Sequence, residues 1–349
     1  MANARHSPYE GLPAKCYWRT GVAERAPLDP GQLYTPKFPV SRKLRVVTAG
    51  SCFAQHVGRA LRGAGLNVVD TEPLPAGLPA ALTADYGFNL FSARYGNIYT
   101  AAQLLQLYRE AFGLKAPTDP VWMRDGRHFD SQRPAIEPRG HATADDVLRH
   151  RAHHLAQVRK AFAQADLFVF TFGLTEAWRD AETGTVFPTA PGTVAGTYDP
   201  DRHRFHNYTV AEVLGDFRAF MKLMRGLNPK VRFLVTVSPV PLTATASGEH
   251  VEVATSYSKA VLRAACGTLA AEDPRVDYFP SYEIITSLNN RGAYFEANRR
   301  SVSDAGVHAA MQMFLDAHGL IPVGVPATEA AADDDPVRCE EALLEAFAR

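Results

Sequence analysis

The chain has 349 residues, 46% hydrophobic and 21% charged, which is the balance of a globular protein and excludes disorder over most of its length. Lys+Arg equals Asp+Glu at 37 each, so there is no basic surplus to neutralise phosphates, and a nucleic-acid binder driven by bulk charge is not expected, a local basic patch aside. No stretch approaches the roughly 20 apolar residues that span a bilayer, and the N-terminal MANARHSPYEG has no apolar signal region. Cys16, Cys52, Cys266 and Cys339 are too scattered for a disulfide framework and include no CxxC zinc pair. Free thiols fit a reducing compartment, so a soluble cytoplasmic protein without metal or cofactor is expected.

Residues 1–43 are punctuated by prolines and predict an extended arm, with Tyr9, Tyr17, Trp18, Tyr34 and Phe38 buried against the domain. LRVVTAG (44–50) predicts a buried strand, and SCFAQHVGRALRGAG a helix ended by Gly63 and Gly65. NVVD (67–70) predicts a second strand. Residues 71–160 read as an insertion beside the sheet. It holds a helix over 101–113 capped by Thr100, a loop or hairpin over 117–140, and a helix over 143–164 capped by Thr143. HHLAQVRK (153–160) reads as a solvated face of that second helix.

LFVFTF (167–172) is a buried strand running into Gly173 and a polar loop. The stretches around 186–196 and His206 read as loops. A helix follows over 209–229, capped by Thr209, then the strand VRFLVTVSP (231–239). Helix 251–271, a short strand in RVDYFPSYEIIT and helix 303–318 complete a domain over 44–322. Residues 327–335 read as a solvated linker and 336–348 as a terminal helix, within a C-terminal segment 323–349. Alternating strands and helices predict a three-layer α/β/α sandwich around a parallel sheet. In such folds the ligand crevice lies at the carboxyl ends of the strands.

Gly50-Ser51-Cys52-Phe53-Ala54 occupies such a strand end. A nucleophile there gains from the helix N-terminus, whose free N–H groups favour a developing anion. A serine cap followed by a buried thiol is the structural alternative. AGSCFA lacks both the GxGxxG spacing and the P-loop lysine, so nucleotide binding is not expected.

GSCFA is the motif of the GSCFA-domain family, which this chain resembles over roughly residues 40–320. RYGNIYTAAQLLQL, TFGLTEAW, TVSPVPLTAT and SYSKAVLRAA extend the resemblance. The family looks related to the SGNH/GDSL hydrolases, which implies an SGNH-like fold and four functional blocks. On Gly50 the first block puts the nucleophile at Cys52, with Ser51 the alternative. A cysteine in place of the family serine departs from simple serine-esterase chemistry. The second block points to Gly96, with Asn97 as a further oxyanion donor; a β-turn is the plainer reading. The third matches Gly173-Leu174-Thr175-Glu176, with Thr175 donating to the oxyanion and Gly173 and Glu176 against substrate. A helix start is its alternative. The last, Asp-x-x-His, is approximated by Asp304 and His308 one residue too far apart, or by a surface histidine only. His250, following Ser238 and its proline-stiffened loop, is another candidate base. His56, one turn after Cys52, and His206 are further histidines near these motifs.

The resemblance implies an acyl-ester hydrolase or O-acyltransferase working through an acyl-enzyme, on a small-molecule or glycan ester. The alternative expectations are a degenerate, non-catalytic domain that binds a glycan or a protein, and a cysteine redox sensor.

Overall fold

The computed structural model describes residues 7–320 and 340–348. Four parallel strands form the central sheet: β1 (Val46–Gly50), β4 (Leu167–Phe172), β8 (Arg232–Val237) and β9 (Val276–Tyr278), in that order. Side chains along each strand alternate between two faces. Phe168, Phe170 and Phe172 of β4 join Val47, Phe233 and Val235 in one core. Leu167 and Val169 join Val46 and Leu234 in the other. Helices α2 (Ala101–Ala111), α3 (Ala144–Gln164), α4 (Val210–Leu227) and α5 (Val251–Glu272) cover the first face. Helices α1 (Phe53–Gly63), α6 (Ser281–Thr286) and α7 (Asp304–Ala317) cover the second. This is the three-layer sandwich with a parallel sheet that the alternation predicts.

Thr143 and Thr209 each cap a helix through reciprocal bonds, with Asp146 and Glu212 respectively. NVVD contributes only a single bridge, Val46 to Val68. Residues 121–130 form a hairpin, β2 (Val121–Arg124) and β3 (Arg127–Asp130). Two stretches read as loops are strands instead. β5 (Glu176–Asp180), β6 (Val186–Phe187) and β7 (His203–Asn207) form a separate antiparallel sheet. Sequences such as EAWRD and HRFHN hide their strand character because one side of this sheet faces polar surroundings.

Of the arm aromatics, Tyr34 and Phe38 are buried, whereas Tyr9, Tyr17 and Trp18 are exposed. Tyr34 donates to Asp277 at 2.8 Å and packs on Phe279, which ties residues 34–38 to the end of β9. The linker 327–335 lies outside the described residues, as does 336–339 of the terminal helix. Glu340–Phe347 is a 3₁₀ helix.

Residues 94–151 are held by a buried charge cluster. Asp130 accepts from Arg133 at 2.7 Å and from Arg151 at 3.0 Å, and Arg151 also pairs with Glu110. Arg133 in turn donates to the Arg94 carbonyl at 3.0 Å. Nearby, His154 meets Glu72 at 2.7 Å. His154 is therefore buried, not part of a solvated face: burial pulls it down to about 4, and its ring stays neutral against an ionised Glu72.

Candidate functional site

β1 ends at Gly50, whose φ is +140°, and a Cβ there would lie 2.5 Å from the Thr171 carbonyl oxygen. Glycine is what allows β1 and β4 to meet this closely at their carboxyl ends. The Ser51 N–H donates to that same oxygen at 3.1 Å, while the Gly50 carbonyl accepts from the Ile98 N–H at 2.8 Å. The RYGNIYT segment is thereby fastened to the strand end that presents Ser51 and Cys52. Gly50→Ala should therefore lower stability by at least roughly 1–3 kcal/mol. An unchanged urea midpoint would refute that expectation.

Gly173 leaves β4 beside them. Its N–H donates to the Tyr99 carbonyl at 3.0 Å, and a Cβ there would meet the Ser51 Cβ at 2.8 Å. The Gly173 carbonyl accepts from Lys259 Nζ at 2.6 Å. Lys259 lies on α5 and is only 2% exposed. Burial pulls its ammonium down to about 8; Glu341 and Cys52 oppose that shift, and Arg300 adds to it. Lys259 thus sits on the Gly173 carbonyl within electrostatic reach of Cys52, Arg300 and Glu341. Cys52 is itself buried, directly before α1, and the Ser51 Oγ is buried with no hydrogen-bond partner among the described residues.

Gly96 adopts φ +69°, a turn that aims the next residue into the crevice. Asn97 accepts from Gln55 at 3.0 Å and donates its amide to the Glu340 carboxylate. The Tyr99 hydroxyl donates to the same carboxylate at 2.8 Å. Thr175 spends both donors on the framework: its hydroxyl goes to Asn207 at 2.6 Å and its N–H to Ser258 at 3.0 Å. Glu176 begins β5, not a helix, and faces a cavity of about 190 Å³ lined also by Tyr99, Leu174, Trp178, Phe187 and Phe205. Burial pushes its carboxyl up, against a 2.6 Å bond from the Thr245 hydroxyl. Ser238 stiffens the exit of β8, with its N–H on the Phe172 carbonyl and its hydroxyl accepting from the Val240 N–H.

The histidines fall differently. His308 and Asp304 are exposed on α7. The charge of Asp304 instead acts on His56 of α1, which burial and Arg59 hold down at about 4. His250 is exposed and caps α5, accepting from the Glu252 N–H. His206 lies on β7 and bonds Glu212 at 2.8 Å. The structure thus brings Ser51, Cys52, Gly96, Asn97 and Gly173 to the strand ends and adds Lys259 there, with Arg300 reached through Glu341, neither of them marked by a motif. Lys259 had one signal: with Leu262 and Cys266 it lies at i, i+3 and i+7 on the apolar stripe of a helix. Away from the strand ends, Glu137, His141 and His150 bring one metal-ligating atom each within 4.8 Å of one another, although Glu137 also pairs with Arg94 at 2.8 Å.

The fold is thus a parallel α/β sheet flanked by helices, with Gly50-Ser51-Cys52 and Gly173 at the carboxyl ends of two adjacent strands. Residues 45–314 match the GSCFA family, and the chain belongs to it. Among solved structures it is similar to a protein from Parabacteroides merdae described as a GDSL-like lipase, at 14% identity, covering 50% of this chain and 67% of that one, with a TM-score of 0.29. It is also similar to a carbohydrate esterase family 3 from Talaromyces cellulolyticus, at 13% identity, covering 62% and 87% of the two chains, with a TM-score of 0.27. No curated protein matches the chain significantly. Among the described residues, no helix is long and apolar enough to cross a membrane.

Proposed function

We propose that this protein is an acyl-ester hydrolase or O-acyltransferase that works through an acyl-enzyme on Cys52, with water or a carbohydrate hydroxyl as acceptor. The observation that carries the reading is Lys259: a buried amine, pulled down to about 8, fixed on the Gly173 carbonyl and electrostatically coupled to Cys52. An amine in that range serves as a general base near neutral pH, the role a histidine fills in the related hydrolases.

In this mechanism neutral Lys259 takes the Sγ proton, and the thiolate attacks the ester carbonyl carbon. The Cys52 N–H at the start of α1 and the Asn97 amide stabilise the oxyanion. The intermediate collapses, the C–O bond to the leaving alcohol breaks, and Lys259 returns the proton to it. Water or a sugar hydroxyl then gives a proton to Lys259, attacks the thioester and releases Cys52. The aromatic cavity beside Glu176 suits a sugar face or the acyl chain, with Glu176 as hydrogen-bond partner. Cys16 and Cys266 are free thiols, which supports a reducing setting.

Intact mass after incubation with p-nitrophenyl acetate tests the reading. An acetyl adduct on wild type and Ser51→Ala, absent from Cys52→Ala, is the expected result. Loss in Ser51→Ala alone would move the nucleophile to the orphaned Ser51 hydroxyl. No adduct on any form would favour a binding domain without catalysis.

A further inference from the structure

The last described helix lies in the candidate site. Glu340 places its carboxylate on the Asn97 amide and the Tyr99 hydroxyl. Glu341 pairs with Arg300 Nη2 at 3.2 Å, with both side chains only 14% exposed. One 3₁₀ turn brings i and i+3 into line. Accordingly Glu341 and Leu344 line the aromatic cavity of about 190 Å³, while Glu340 and Leu343 line a second cavity of about 270 Å³ beside Gln55, Gly96 and Asn97. The segment stands between the two cavities, over the strand ends. Two acids of the chain itself thus occupy the positions that bind oxygen anions: Glu340 at the oxyanion corner, Glu341 at a nearly buried arginine. A guanidinium held this far from solvent recognises a carboxylate well, because its forked donors match two oxygens in a setting where water competes poorly.

We propose that Arg300 is a specificity-determining residue for a carboxylate-bearing acyl ester, and that the C-terminal helix fills this site with Glu341 in place of the ligand's carboxylate. This deepens the reading of the site as an acyl-ester site. A ligand enters by displacing the helix, with its acid group on Arg300 and its acyl oxygen on Asn97. The helix is therefore a built-in competitor, which lowers the apparent affinity by the fraction of molecules in which it is docked.

The test uses the full-length chain and does not depend on acyl transfer. Cys52 is alkylated with iodoacetate, which is anionic, or iodoacetamide, which is neutral; in each case the sulfur displaces iodide and forms a thioether. Peptide mass mapping follows Cys52 alone. In Glu340→Gln/Glu341→Gln the rate with both reagents should rise about tenfold over wild type, since charge-assisted bonds hold the helix down. Iodoacetate should gain more than iodoacetamide, and glutarate should protect the thiol where glutaramide does not. Arg300→Gln, with the acidic helix intact, should also speed iodoacetamide but lose the preference for iodoacetate and the protection by glutarate. Equal rates in wild type and both variants would overturn the docked helix. Acceleration without anion preference or glutarate protection would overturn the carboxylate-bearing ligand. Anion preference retained in Arg300→Gln would overturn the role of Arg300. The acyl-enzyme reading fails separately, by the absence of an acetyl adduct.

Discussion

Asp130→Asn should destabilise the protein by about 3–5 kcal/mol, the cost of leaving buried arginines without their counter-charge. Asp130 is 7% exposed and accepts from both Arg133 and Arg151. Asparagine keeps the shape but removes the charge, so the two guanidiniums face each other across a neutral amide. Glu110 still pairs with Arg151, whereas the remaining hydrogen bonds of Arg133 among the described residues go to the Arg94 and His150 carbonyls. Burial alone would push the Asp130 carboxyl up; the two arginines more than offset it and hold it at about 2. Because that value lies below the ordinary 3.8, the contribution is complete above about pH 4 and lost as pH falls through 2. Urea unfolding at pH 7 checks the size, and a loss under 1 kcal/mol would contradict it. The effect should reach the site as well, because Arg133 holds the Arg94 carbonyl at the start of the segment that carries Gly96 and Asn97.

How far the sequence could be read depended on what signalled each residue's surroundings. β1, β4 and β8 are buried on both faces, so their apolar runs announced them. The helix caps at Thr100, Thr143 and Thr209 are local chemistry and were equally plain. β5 and β7 were not, since charged residues alternate with aromatic ones on a sheet that is partly exposed. Ser51, Cys52 and Gly173 could be placed at strand ends because a glycine closing an apolar run is a local mark. Lys259 and Arg300 were not, because a lysine in a helix and an arginine in NRRS ordinarily point to solvent. Only the tertiary fold buries one beneath Gly173 and pairs the other with Glu341. Spacing alone points to His308, which the packing of α7 leaves exposed. Likewise nothing local in EEALLEAF distinguishes a terminal helix in solvent from one lying across a crevice.

Lys259→Met should slow acetylation of Cys52 by roughly 10²–10⁴-fold, the usual contribution of a general base. A structural lysine would give a different pattern, and pH separates the two. In wild type the adduct should form faster as pH rises through about 8, where Lys259 becomes neutral. The variant should keep only the shallower rise that any thiol shows near its ordinary value of about 8.5. Stability supplies a second, independent measurement. The folded chain holds Lys259 at about 8 against an ordinary 10.5, so below pH 8 folding carries the full cost of a desolvated ammonium. Between 8 and 10.5 the unfolded state binds more protons than the folded one, and wild-type stability rises with pH. The interval of about 2.5 units corresponds to roughly 3 kcal/mol. Methionine carries no such cost, although it leaves the Gly173 carbonyl without its lysine donor, a loss of roughly 1–3 kcal/mol. At pH 7 these opposing effects should leave the two proteins of similar stability, so slow acetylation in the variant would not reflect unfolding. From pH 8 to 10.5 wild type should gain on the variant. Parallel stability curves across that range would show that Lys259 is not desolvated as described, and the base would have to be sought elsewhere.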